Sequence, residues 1–136
     1  MNATSMHQGN VAIVGAAETE RIGIVPDVSM IHLHTNAARR AIADAGISIS
    51  DIDGIATAGP TAIELADMLG IRPRWADGTM IGGCSFMALV RHAAAAITAG
   101  AANVVLVTHG ESGRSGVGRP PHIRPATSIS GQFEAP

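Results

Sequence analysis

Residues 79–110 constrain this chain more than any other stretch: a glycine turn, an alanine-rich apolar segment and a β-branched run follow one another without a break. Phe86, Leu89, Val90, Ala93, Ala94 and Ile97 recur at helical spacing and share one face of a 3.6-residue helix. Gly100 follows the last periodic residue, where a left-handed C-terminal cap favours a residue without a Cβ. Residues 104–107 then read as a buried strand. The far side of the helix carries Ala88, Ala95, Ala96 and Ala99, with only Arg91, His92 and Thr98 hydrophilic beyond the first turn. A helix apolar nearly all round is expected between two layers.

The rest of the chain alternates strand and helix around this unit. Val11, Ala12, Ile13 and Val14, closed by Gly15, predict a first strand covered on both faces. Ser29 caps a helix that buries Leu33, Ala37, Ala41, Ile42 and Ala45 and ends at Gly46. Residues 52–58, bounded by Gly59 and Pro60, predict a second strand. Thr61 and Glu64 form a capping box ahead of a short helix with Ala62, Leu65, Ala66 and Leu69 inward, ended by Gly70. A third short strand is expected at 74–76. The alternation predicts a mostly parallel α/β sheet with right-handed crossovers.

That pattern stops at Gly110. Residues 111–136 hold no periodic segment, which is long for a structureless loop inside a compact domain. Four strands and two other helices supply only one apolar layer for the central helix. The chain therefore reads as an α/β half-domain over 1–110, with 111–136 a loop leading into a missing remainder.

Composition excludes several classes. A formal charge of −2, nine Lys+Arg, and Phe86, Phe133 and Trp75 as sole aromatics give no basic stacking surface for nucleic acid. One cysteine precludes an internal disulfide framework, residues 1–10 lack the apolar core of a signal peptide, and no 18-residue apolar stretch occurs. A cytoplasmic protein without membrane contact is expected.

Cys84 begins the central helix, where free N–H groups and the macrodipole favour a thiolate, although a lone cysteine is more often a small packing residue. The glycine-rich run 110–118 with Arg114 lacks both a following helix and a Walker lysine, and reads as a surface loop. His32 and His34, two apart, point about 200° from one another on a helix; they are poor joint metal ligands and default to solvent. No metal site is expected. His92 must find a hydrogen-bond partner or stay partly exposed. His109 and Glu111 stand at the carboxyl end of the last strand, where open α/β sheets place their ligand crevice.

With these segments in place, the chain resembles the N-terminal half of the thiolase family, in particular its sterol-carrier-protein-type members and their lipid-transfer relatives. Val-Ala-Ile-Val-Gly from Val11 is similar to the family's opening strand, the run from Ala45 to Ile55 to its helix-to-strand turn, and Ala93 to Gly100 with Val104 to Glu111 to its central helix and the strand ending in Gly-x-Glu. The resemblance implies two stacked halves in the complete protein, a homodimer or higher oligomer, a separate small partner subunit as an option, and an acyl-CoA thioester as substrate with no bound cofactor.

It also implies a catalytic position. Family members with a nucleophilic cysteine read Cys-x-Ser/Thr-Gly, with the cysteine 17 residues before the helix-ending glycine, and here that register falls on Gly83. Cys84 stands one position later, Ser85 matches the Ser/Thr, and Phe86 replaces the glycine. Cys84, Ser85 and His109 are thus the candidate catalytic residues. Acyl transfer or thiolysis is the family-level expectation. The departure resembles a branch in which Gly-Gly-x-Ser replaces the cysteine motif and steroid side-chain acyl-CoAs are cleaved by a retro-aldol reaction; a non-catalytic scaffold subunit is the third reading.

Overall fold

The computed structural model describes residues 9–58 and 62–115. Its elements are α1 (Met30–Ala45), β1 (Gly54–Thr57), α2 (Ala62–Leu69), β2 (Trp75–Asp77), α3 (Ser85–Thr98) and β3 (Val105–Thr108), with 3-10 turns at Ile49–Asp51 and Gly113–Ser115. The strands form one parallel sheet in the order β2-β1-β3, with Gly54 beside both Trp75 and Val105, and Thr57 beside Thr108. This is the parallel α/β arrangement that the alternation predicts.

β1 is buried along its whole length because helices cover both sheet faces. On one face α1 and α2 bring Ala38, Ile42, Leu65 and Leu69 against Ile55 and Leu106. On the other, Leu89 of α3 packs with Ala56, Val105 and Val107. Leu65 and Leu89 are fully buried, each such side chain contributing about 2 kcal/mol relative to exposure. No side chain fits at Gly54, where a Cβ would lie 2.7 Å from Val105 Cγ2.

Local signals hold at the helix ends. Ser29 accepts from the His32 amide at 3.4 Å, and Gly46 and Gly100 close their helices at φ 66° and 73°. Ala62, Leu65, Ala66 and Leu69 are the buried stripe of α2, while the capping box at Thr61 falls outside the described residues. The starts of β1 and β3 are joined by Asp53, whose carboxylate accepts from Asn103 N (2.7 Å), Val104 N (2.9 Å) and Asn103 Nδ2 (2.8 Å). Burial pushes its pKa up, but these bonds outweigh that and hold the carboxyl below its usual range.

Three expectations need correction. Residues 11–14 form no strand: they have no ladder partner among the described residues, and Ile13 and Val14 are 79% and 63% exposed. Gly15 anchors the segment against α1, where a Cβ would meet the Ala41 carbonyl at 2.5 Å. A cleft of about 710 Å³ separates it from the outer edge of β3, walled by Ala41 and Ala45 of α1 and by Val90 and Ile97 of α3. Apolar residues alone do not make a strand; a neighbouring edge must take up their backbone groups.

In helix α3, secondly, the buried row differs from the predicted one, while burial on a single side is what one apolar layer implies. Ser85, Leu89, Ala93 and Ala96 meet the sheet, whereas Phe86, Met87 and Val90 are 51%, 61% and 42% exposed. The predicted stripe placed Phe86 and Val90 with Leu89; the sheet instead takes the row one position away. Third, His34 is 2% exposed and does not face solvent. Among the described residues no helix is long and apolar enough to cross a membrane.

Candidate functional site

All three strands are parallel, so the segments leaving their carboxyl ends share one edge of the sheet. The turn after β2 opens α3. Gly82 adopts φ 84°, Gly83 has open space where a Cβ would stand, and Cys84 occupies the N-cap position without a side-chain capping bond. The first turn of α3 thus keeps N–H groups free of intrahelical partners. Cys84 is exposed, its sulfur 3.9 Å from the Ile81 carbonyl oxygen. Ser85 is buried and committed: its hydroxyl accepts from Ile81 N at 2.9 Å and donates to the Gly82 carbonyl at 2.6 Å. That engagement makes Ser85 a tie for the turn.

Behind this turn, Asp77 at the end of β2 accepts from Thr79 N (2.9 Å) and Thr79 Oγ1 (2.7 Å), and its other oxygen lies 2.6 Å from His92 Nδ1. Burial raises its pKa, and the bonds from Thr79 and His92 more than offset that, holding it below the ordinary carboxylate range. His92 has found the partner its position demands while remaining half exposed.

The ends of β1 and β3 carry a node that residue spacing did not suggest as a site. His34 reaches from α1 to Thr108 Oγ1 (2.8 Å) and Thr57 Oγ1 (3.4 Å) through Nδ1. Its pKa is lowered to about 4, chiefly because burial disfavours the cation and further because His109 stands near; a backbone bond to Gly110 opposes the shift. The ring is neutral at pH 7. Only glycine fits at 110, since a Cβ there would lie 2.6 Å from His34 Cδ2. A signal for this residue existed in the sequence, because His34 precedes Ala38 and Ile42 by four and eight positions and so shares their buried row.

His109 is exposed, its ring 6.3 Å from that of His34, and its Nε2 is 3.9 Å from Glu111 Oε1 in a loose surface pair that contributes little. No hydrogen bond joins it to Cys84 or Ser85; they follow strands that flank β1 on opposite sides. The glycine-rich loop, as far as Ser115, is tied down by Ser112 Oγ donating to the Gly23 carbonyl and Ser115 Oγ accepting from Val25 N, both at 2.7 Å. The described residues contain no group of three metal-ligating side chains.

A parallel sheet backed by α3, with a Gly-Gly-Cys-Ser turn at its carboxyl edge, is a thiolase-like α/β arrangement, and the chain is similar to thiolase-like proteins over a part of their length. It is 34% identical over 116 residues to a 17-hydroxy-3-oxo-4-pregnene-20-carboxyl-CoA lyase of Mycobacterium tuberculosis, a match spanning 82% of this chain and 30% of that one. Among solved structures it is similar to the Ltp2-ChsH2 aldolase (32% identity, TM-score 0.63, 78% of this chain and 30% of that). It is also similar to a monomeric SCP2-thiolase-like protein type 1 from Mycobacterium smegmatis (31% identity, TM-score 0.62, 74% of this chain and 23% of that). The chain thus spans less than a third of the length of these relatives. No family model matches it.

Proposed function

We propose that the full-length protein is an acyl-CoA carbon–carbon lyase in which the turn at Gly82, Gly83 and Cys84 receives the thioester carbonyl. The observation that carries this reading is the turn itself: Gly83, to which the resemblance assigns the nucleophile's register, has open space where a Cβ would stand, while the neighbouring hydroxyl of Ser85 is already engaged. A retro-aldol cleavage needs no acyl-enzyme. A base takes the proton of the β-hydroxyl, the Cα–Cβ bond breaks to leave a ketone, and its electron pair becomes the thioester enolate, which is then protonated at carbon. Backbone N–H groups at the start of α3 would stabilise the enolate oxygen. His109, exposed at the same edge, is this chain's own candidate proton acceptor.

The lyase and aldolase relatives support this reading over acyl transfer. Coenzyme A enters as part of the substrate, with no resident cofactor. The second name in the Ltp2-ChsH2 aldolase supports a separate partner subunit for the full-length protein; a homodimer or larger oligomer and a cytoplasmic location belong to the same proposal. Acyl transfer through Cys84 is the second reading, favoured by the exposure of its thiol. The test offers the full-length protein a β-hydroxy acyl-CoA with a tertiary alcohol and, separately, a 3-oxoacyl-CoA with free CoA. Ketone release from the first with no thiolysis of the second is expected; the reverse pattern would establish acyl transfer.

A further inference from the structure

We infer that Asp77 and His92 are positioning residues that set the shape of the turn ahead of α3. The functional meaning of this inference rests on the reading that this turn meets the thioester; its structural content does not.

Residues 78–84 include Gly78, Gly82 and Gly83, and the side chains between them give little packing, since Met80 and Ile81 are 62% and 57% exposed. A glycine-rich segment without buried side chains takes its conformation from polar ties. Here those ties form two groups. At the near end both donors of Thr79 converge on one oxygen of Asp77. At the far end Ser85 Oγ closes on Ile81 N and the Gly82 carbonyl.

The near tie depends on where the Asp77 carboxylate points, and that is fixed by its other oxygen, 2.6 Å from His92 Nδ1 in α3. His92 thus couples the helix to the strand end, Asp77 hands that constraint to Thr79, and the chain reaches Ile81 two residues on. Thr79 Oγ1 also lies 3.5 Å from His92 Nδ1, which closes a three-residue cluster at the base of the turn.

Exchange of individual amide hydrogens in the full-length protein tests this. Asp77→Ala and His92→Ala should each speed exchange at Ile81 by at least about tenfold, although neither residue touches Ile81, while Leu89 within α3 changes less than about twofold. His92→Asn places an amide nitrogen near the Nδ1 position and should restore Ile81 to within about threefold of the parent. Acceleration confined to Thr79, or no rescue by asparagine, would overturn the inference. Should Asp77→Ala fail to fold, the two His92 variants decide. Binding of a non-hydrolysable acyl-CoA thioether to the full-length variants separates the two claims: an Ile81 response with unchanged binding leaves the positioning role standing and removes the thioester from this turn.

Discussion

His34 Nδ1 lies 2.8 Å from Thr108 Oγ1, joining α1 to the end of β3 across 74 residues of sequence. The ring is buried and its pKa lies at about 4, against 6.5 for a free histidine. Between those values the unfolded chain binds a proton that the folded chain does not. Stability is therefore fully present above about pH 6.5 and falls as the pH drops towards 4, by an amount on the order of 3 kcal/mol. Urea unfolding at pH 7 and pH 4.5 should show the loss in the parent and a flatter profile in His34→Leu. Equal pH slopes in the two would remove His34 as the cause.

Asp53 offers a test at the opposite end of the strands. Its carboxylate accepts three bonds from Asn103 and Val104, so Asp53→Ala leaves two backbone N–H groups without that acceptor and uncouples the starts of β1 and β3. A loss of about 2–3 kcal/mol is expected in the unfolding free energy. A change under about 0.5 kcal/mol would mean that water replaces the carboxylate at no cost.

The open edge of β3 and the exposed side of α3 predict association. In the parallel ladder Gly54 N donates to Val104 O, so Val105 and Val107 turn their own N–H groups towards the cleft. Their amides should exchange rapidly while that of Leu106 is protected. Together with Phe86, Met87 and Val90 on α3, this edge should drive concentration-dependent self-association. Sedimentation at several concentrations, with a dye for apolar surface, checks it; a monodisperse, dye-negative monomer would contradict an uncovered α3 face.

Much of the fold was legible in the sequence because its signals are local. Ser29 and Gly46 mark the ends of α1 and Gly100 that of α3, and the four apolar positions of α2 are the four that are buried. Residues 11–14 misled because a strand is defined by a partner edge, and apolar composition does not supply one. The site was less legible. Cys84 and Ser85 stood out by type and position, but only geometry shows that one is exposed and the other buried and tied. His34 was judged by its distance from His32; the burial row it shares with Ala38 and Ile42 was the better guide.

The most direct measurement is the activity of Cys84→Ser in the full-length protein, assayed on a β-hydroxy acyl-CoA with the fold verified independently. If the turn at Gly83 stabilises an enolate and no acyl-enzyme forms, turnover falls by less than about tenfold. A loss of about a thousandfold or more would make Cys84 a nucleophile and contradict the lyase account.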